Sequence, residues 1–185
     1  MIPHLILIGK SASGKDVFAG YVAEKYHIPS IRFSTIITEI GREYGWVGKQ
    51  EEVTKAQKQE IGTRLRREYG AKIYTERIAR QVQGKTHTLN GVRHPDEIEC
   101  LRKHFGDNLM LIGIVVDTEK RYERMLKNGK AKSYVQFQDL EAHAAEEKVD
   151  ELLEQCDVSL ENNGEQAEFY EKIDHLLAKL QKTGT

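Results

Sequence analysis

Short apolar runs alternate with helix-length amphipathic segments along the whole of this 185-residue chain. Five runs are predicted to be β-strands, at 4–8, 28–33, 86–90, 109–116 and 157–160. Between them, apolar residues recur every three or four positions, which predicts helices at 17–22, 35–44, 54–70, 71–83, 95–105, 118–127, 135–155 and 169–180. The run 109–116 is apolar on both faces, as in a central parallel strand covered by helices. The alternation predicts parallel βαβ units in one α/β domain over 1–185.

Composition narrows the classes of partner. The chain has 28 basic and 29 acidic residues, a net charge of −1, so no overall field attracts nucleic acid or an acidic membrane surface. No apolar run approaches the ~20 residues of a membrane span, and the amino terminus has no leader pattern. We expect a cytoplasmic protein with a small-molecule partner and no membrane contact. The sequence leaves the oligomeric state open, and a homodimer is one of the alternatives.

The first strand is followed by a glycine-bounded loop that opens a helical pattern. Its sequence is Gly9-Lys10-Ser11-Ala12-Ser13-Gly14-Lys15-Asp16. Strand, glycine-bounded loop, lysine and helix in this order are typical of a phosphate-binding P-loop. Such a loop turns several backbone N–H groups inward as an anion nest, and the helix adds its positive end. We therefore expect these eight residues, with the ammonium of Lys15, to bind the phosphates of a nucleoside triphosphate.

Asp16 stands where a P-loop usually has Ser or Thr. That hydroxyl is a neutral ligand of Mg²⁺, and a carboxylate also binds this cation, which prefers oxygen ligands. Because the bare carboxylate would repel phosphate, we expect Asp16 to be a metal ligand and nucleotide binding to depend strongly on Mg²⁺. Equal ATP affinity with Mg²⁺ and with EDTA would contradict this. The alternative is that Asp16 only stabilises the start of the helix, by about 0.3–1 kcal/mol.

The order of these parts resembles the nucleoside monophosphate kinase group of P-loop proteins over nearly the whole chain. A P-loop ending in Gly-Lys-Asp is similar to phage deoxynucleoside monophosphate kinases and animal phosphomevalonate kinases. The stretch 62–70, Gly-Thr-Arg-Leu-Arg-Arg-Glu-Tyr-Gly, looks more like a kinase family close to dephospho-coenzyme A kinase. Members of that family carry an Asp-Gly-x-Arg element after the third strand, where this chain has Asn90-Gly91-Val92-Arg93.

The resemblance implies a three-layer α/β/α fold whose five-stranded parallel sheet has the order 2-3-1-4-5, with a helical lid. It implies ATP and Mg²⁺ as cofactors, a helical acceptor-binding region over 34–85 and a lid over 118–140. The last strand followed by Asn162-Asn163-Gly164 matches the group's pattern near the nucleotide base. Asn162 and Gly164 are therefore expected to contact the nucleotide.

Phosphoryl transfer depends mainly on positioning and charge stabilisation, so a kinase needs cations on several sides of the phosphates. On the acceptor side the candidates are Ser34 and the arginines Arg32, Arg42, Arg64, Arg67 and Arg93. On the lid side they are Arg121 and Arg124, three residues apart on one helix face. With Lys15 and Asp16, the arginines Arg93, Arg121 and Arg124 form the expected catalytic set. For any one arginine, a solvated surface charge is the alternative interpretation.

Asn90 departs from the resembled pattern, in which an Asp can orient metal-bound water or accept the acceptor proton. An amide cannot act as a base. Either Asp16 has taken over this role, or activity is weak or absent. The first alternative predicts an ATP-dependent small-molecule kinase acting on a phosphate-bearing, nucleotide-like acceptor, such as a nucleoside or deoxynucleoside monophosphate or dephospho-coenzyme A. The second predicts a nucleotide-binding regulatory module, and the balanced charge disfavours a nucleic-acid kinase.

Overall fold

The computed structural model describes residues 2–49, 52–142 and 144–183. Its sheet is made of five strands: β1 (His4–Ile8), β2 (Ser30–Arg32), β3 (Thr88–Asn90), β4 (Leu109–Val115) and β5 (Val158–Glu161). The strand order is β2-β3-β1-β4-β5, and every neighbouring pair is parallel. The expected sheet and its order are confirmed.

Helices connect the strands and cover the sheet. Their bounds are α1 (Lys15–Tyr26), α2 (Phe33–Glu43), α3 (Lys55–Tyr69), α4 (Lys72–Val82), α5 (Pro95–Phe105), α6 (Thr118–Lys127), α7 (Tyr134–Glu141), α8 (Ala144–Glu154) and α9 (Gln166–Thr183). In the part of the chain that the structure describes, no helix is both long enough and apolar enough to cross a bilayer.

Alternate residues of the central strands feed two separate cores, one on each face of the sheet. Ile6 and Ile8 of β1 belong to the core that packs against α2 to α5 and α8. Leu5 and Leu7 point the other way, into the core formed with α1 and α9. Because both faces are buried, β1 reads as a continuous apolar run rather than an alternating one.

The carboxyl ends of the parallel strands meet at one edge of the sheet. The P-loop (residues 9–16) follows β1 there, and the segment 91–94 follows β3, which is the direct neighbour of β1. The connection from β1 runs to β2 on one side, whereas the connection from the neighbouring β3 runs to β4 on the other side. Ligands of open α/β sheets bind in the crevice at such a switch point.

The predicted single helix over 135–155 is wrong: the structure has two helices, α7 and α8. Phe137 of α7 is buried against Met125 and Ala131, beside α6. Val149 and Leu152 of α8 instead enter the core on one face of the sheet. One straight helix cannot cover both surfaces, and so the chain turns at Ala142, whose N–H closes the last turn of α7.

The start of α2 also differs from the sequence prediction, which began this helix at residue 35. The helix begins at Phe33, and Arg32 is the cap residue. Ser34 therefore lies inside the first turn, and its carbonyl accepts a hydrogen bond from the Thr38 hydroxyl (2.8 Å). Burial of the Phe33 ring in the core explains why the helix starts two residues early, at 33 instead of 35.

Candidate active site

Close packing explains both glycines of the P-loop. A Cβ at Gly9 would lie 2.6 Å from the carbonyl oxygen of Ile114. A Cβ at Gly14 would lie 2.3 Å from Nδ2 of Asn162, and Gly14 has a φ of +105°, which side chains rarely adopt. The loop can therefore approach β4 and the β5–α9 connection only with glycine at these two positions.

The Lys15 ammonium lies over the loop that precedes it. Its Nζ donates to the carbonyl oxygens of Gly9 (2.5 Å) and Lys10 (2.8 Å) and lies 3.4 Å from Oγ of Ser13. The Lys10 side chain points away and pairs with Asp150 of α8 (2.8 Å). The Lys15 charge thus lies beside residues 9–13, next to the first turn of α1, where an anion is favoured.

Two distant side chains support the P-loop from behind. The buried Asn162 side chain donates to the carbonyl of Ser13 (2.8 Å). Arg124 of α6 donates to the carbonyl of Asn162 (2.7 Å) and lies 3.4 Å from that of Ala12. Gly164 follows in the same β5–α9 connection. Asn162 and Arg124 therefore hold the backbone of the loop, in addition to any contact with a nucleotide.

Asp16 lies between residues from two other strands. Its Oδ1 accepts a hydrogen bond from Nδ2 of Asn90 at the end of β3 (2.9 Å) and pairs with Nη2 of Arg32 at the end of β2 (3.0 Å). The parallel register puts Arg32 opposite Asn90. Asp16 and Asn90, on which the sequence hypothesis depends, are thus in direct contact, and Arg32 pairs with the same carboxylate.

A cleft of about 730 Å³ extends from the P-loop to α3. The P-loop side contributes Ser11, Ala12, Lys15 and Asp16, and the strand ends and their loops contribute Arg32, Phe33, Ser34, Asn90, Gly91, Arg93 and His94. Met125 and Lys130 from the lid region also line it. Of the expected acceptor-side residues, Arg32, Ser34 and Arg93 line this cleft.

One stripe of α3 faces the cleft: Lys55, Lys58, Gln59, Gly62 and Arg66. Sequence reasoning missed it. The signal was available, because steps of three and four residues put these positions on one helix face beside the buried Leu65. Gly62 lets α2 and α3 approach, since a Cβ there would lie 3.2 Å from Ile37.

The three other acceptor-side arginines lie outside the cleft lining. Arg64 stacks on Trp46, with 3.9 Å between its guanidinium carbon and the ring centre, and it pairs with Glu68 (2.9 Å). Arg67 is 77% exposed and lies 3.6 Å from the same carboxylate. Arg42, in the last turn of α2, is absent from the cleft lining as well.

The lid region holds its first arginine in a buried ion pair. Arg121 is 3% exposed and donates from Nη1 and Nη2 to the two carboxylate oxygens of Glu141, each at 2.6 Å. The Arg121 guanidinium lies 5.6 Å from the ring centre of Phe137. Arg121 thus joins α6 to α7 and does not line the cleft, in contrast to the expectation of a phosphate contact.

Two titratable groups on the α5 side of the cleft have displaced pKa values. Burial raises the pKa of the Glu97 carboxyl, against the opposing effect of its backbone donors and Arg66. Burial, and next the charge of Arg66, lowers the pKa of His94 to about 4, so its ring is neutral at pH 7. Glu97 and His94 both line the cleft.

The oxygen atoms near the P-loop fit Mg²⁺ bound together with a nucleotide. No group of three potential metal-ligating side chains occurs among the described residues. Mg²⁺ in nucleotide sites is usually held by one or two carboxylates plus phosphates and water. Asp16 can supply the carboxylate, because both of its contacts within the described ranges are to Oδ1.

Alignments with known proteins cover most of the chain. No protein-family model matches it. A UPF0200/UPF0201 protein of Archaeoglobus fulgidus is 26% identical over 186 aligned residues and 96% of this chain, which spans only 56% of that relative's length. A UPF0200 protein of Methanosarcina mazei is 27% identical, over 88% of this chain and 87% of the relative.

Solved structures share the architecture at low identity. The shikimate kinase of Acinetobacter baumannii superposes with a TM-score of 0.59 at 17% identity, covering 97% of this chain and 94% of that one. The dephospho-CoA kinase of Campylobacter jejuni gives 0.59 at 14% identity, over the full length of both. A gluconokinase of Sinorhizobium meliloti gives 0.55 at 13% identity, over 98% and 94%. The chain therefore has the fold of the small-molecule P-loop kinases.

Proposed function

We propose that this protein is an ATP-dependent small-molecule kinase that transfers the γ-phosphoryl group of Mg·ATP to a phosphate-bearing, nucleotide-like acceptor. The observation that carries the proposal is the cleft that joins the P-loop residues Lys15 and Asp16 to a cationic stripe on α3. Donor and acceptor phosphates need cations at the two ends of one cavity. This cleft supplies cations at both ends.

Each part of the site has a role in this proposal. Lys15 and the loop N–H groups bind the donor phosphates, and Asp16 would hold Mg²⁺, which would neutralise charge on those phosphates. Arg32 and Arg93 approach the transferred group from the strand ends. In the reaction, the bond from the γ-phosphorus to the β–γ bridging oxygen breaks, a bond to an acceptor oxygen forms, and ADP leaves. A hydroxyl acceptor also releases its proton to solvent, whereas an ionised phosphate oxygen has none to lose.

The lid has a supporting part in the proposal. Arg124 contacts the loop backbone from α6, and closure of the segment 118–140 would exclude water from the transferred group. Arg121 contributes by keeping α6 and α7 together as one unit. We propose that the whole chain, 1–185, works as one kinase domain in the cytoplasm, with 34–85 as its acceptor region.

A coupled ADP-release assay tests this function directly. The acceptors are the nucleoside monophosphates, their deoxy forms and dephospho-coenzyme A, each with Mg·ATP. We expect ADP production that depends on one acceptor class and that is lost in Lys15→Met. ADP release at the same rate with and without every acceptor would contradict the proposal.

The contact between Asn90 and Asp16 favours one second candidate, a nucleotide-binding regulatory module. In that case the amide has replaced a catalytic carboxylate, and Asp16 is held by Asn90 and Arg32 without a role in transfer. This candidate predicts tight Mg·ATP binding by calorimetry and no turnover with any acceptor. Turnover above the hydrolysis background excludes it.

A further inference from the structure

Arg66 is the arginine of α3 that can reach an anionic ligand in the cleft, whereas Arg64 and Arg67 cannot. Its side chain is 24% exposed and lines the cleft, whereas Arg64 and Arg67 lie outside the lining and share Glu68. A guanidinium has five N–H donors. Within the described ranges, the hydrogen bond from Nη1 of Arg66 to Glu97 (3.2 Å) engages one of them. The remaining donors are available to a ligand in the cleft.

Glu97 holds this guanidinium to the loop that follows β3. The carboxylate is 2% exposed, and its other oxygen accepts hydrogen bonds from the backbone N–H groups of Arg93 (3.0 Å) and His94 (3.3 Å). A buried charge is costly unless it is paired, so these three donors stabilise one arrangement. Glu97 therefore fixes Arg66 relative to Arg93 across the α3–α5 boundary.

The surroundings of this pair are positively charged. Lys55 and Lys58 line the same stripe of α3, and no carboxylate of a described residue pairs with either. After the larger effect of burial, the charges of Arg66, Lys148 and Arg93 lower the pKa of His94, and that of Asp96 raises it. Cations gathered at one end of a cleft favour an anionic group there.

We propose that Arg66 binds the phosphate of the acceptor, and that Glu97 is a positioning residue that holds Arg66 and the 93–94 backbone for that contact. The inference rests on the proposed function, since it assigns the anionic end of the acceptor. In this proposal Arg66 takes the acceptor-side role that the sequence suggested for Arg64 and Arg67. Those two side chains pair with Glu68 outside the cleft lining.

Glu97→Gln distinguishes a positioning role from a purely electrostatic effect, because the two predict opposite changes in the KM for the acceptor. Gln at this third helical position can still accept from the His94 N–H, so the cap of α5 is kept. Removing a negative charge from the cleft would by itself tighten phosphate binding. Loss of Arg66 orientation weakens it, and we expect the acceptor KM to rise about tenfold, the size of one charge-assisted hydrogen bond.

The kinetic test compares this variant with a matched control on the Arg64–Glu68 ion pair, which lies outside the cleft lining. In Glu97→Gln, kcat and the KM for ATP should stay within about twofold of wild type. Glu68→Gln removes the partner of Arg64 and should leave all constants unchanged. An acceptor KM for Glu97→Gln that is equal to or lower than wild type would overturn the proposal. Thermal unfolding of each variant confirms folding.

A footprint with inorganic phosphate tests Arg66 without turnover. Phenylglyoxal modifies accessible arginines, and peptide mass spectrometry reports each site separately. We expect phosphate to slow modification of Arg66 but not of Arg64, and we expect Glu97→Gln to reduce that protection. Equal effects on both arginines would refute the assignment.

The two assays also separate failure of this inference from failure of the proposed function. Turnover with unchanged acceptor KM in Glu97→Gln contradicts the inference alone. Protection of Arg66 that depends on Glu97, without turnover of any acceptor, supports the phosphate site and contradicts the kinase.

Discussion

At the scale of single residues, the contact of Asp16 with Asn90 decides how the candidate site is interpreted. Resemblance to known kinases pointed to both positions, yet it could not say whether they meet. The Asn90 amide donates to Asp16 at 2.9 Å, so one carboxylate and one amide share a position between the P-loop and β3. A second carboxylate at residue 90 would put two negative charges in contact, which is unfavourable.

This contact predicts strong coupling between substitutions at the two positions. Asn90→Asp alone adds repulsion beside Asp16, and Asp16→Ser alone removes the carboxylate. The double variant restores one carboxylate next to a P-loop hydroxyl. We expect each single variant to lower kcat/KM and the double variant to recover activity, with a coupling free energy of about 1–3 kcal/mol.

The double-mutant cycle is measured by the ADP-release assay with the best acceptor, at saturating Mg²⁺. Additive losses in the double variant would mean that the two residues act independently. Binding of ATP with Mg²⁺ and with EDTA, compared between wild type and Asp16→Ser, measures the metal dependence separately.

At the scale of elements, two glycines of α1 and its amino-terminal cap are there for different reasons. Gly14 precedes the helix with a φ of +105° and contacts Asn162. Gly20 lies within the helix, where a Cβ would meet no heavy atom within 4 Å beyond the backbone of its own helix. The first glycine is required by packing and backbone angle. The second leaves only the entropic cost of glycine in a helix.

Two alanine substitutions in this element should therefore have opposite effects. Gly14→Ala is expected to lower the free energy of unfolding by about 1–3 kcal/mol and to weaken ATP binding, through strain and the clash with Asn162. Gly20→Ala is expected to raise it by about 0.5–1 kcal/mol with unchanged ATP affinity. Urea unfolding measures both, and destabilisation by Gly20→Ala would contradict this account.

The lid elements show where helical periodicity is insufficient. Spacing predicts that Arg121 and Arg124 share one face of α6, but it does not show their partners, which lie 20 and 38 residues away in sequence, at Glu141 and Asn162. The break between α7 and α8 has the same origin. Helix α7 packs beside α6 and helix α8 packs on the sheet, and the residues that form those two surfaces are distant in sequence.

At the scale of the whole molecule, one buried and one partly buried histidine, at opposite ends of the sheet, connect stability to pH. His4 at the start of β1 is 3% exposed, and burial, with a smaller effect of His87, lowers its pKa. His94 after β3 has a pKa of about 4, below the ordinary 6.5. Both rings bind a proton less readily in the folded protein than in the unfolded chain.

The sign of the pH dependence follows. Stability from these two groups is complete above pH 6.5 and declines as the pH falls from 6.5 toward 4, because the unfolded chain then binds more protons. We expect the decline, measured by urea unfolding, to be shallower in His4→Gln and in His94→Gln. His175→Gln, at an exposed position, is the control. A decline as steep as that of wild type in both His4→Gln and His94→Gln would contradict the assignment.

The sequence by itself determined the parts of this protein whose information is local. Apolar runs and their spacing specified the strands, the glycine-bounded loop predicted a phosphate site, and the resemblance supplied the strand order. Tertiary structure decided which charged side chains meet. Arg66 rather than Arg64 lines the cleft, and Glu141 rather than a phosphate holds Arg121, because these choices depend on which face of each helix packs against a distant element. Ion pairs between elements cannot be read from periodicity, since the rotation of each helix is set by the core that it covers.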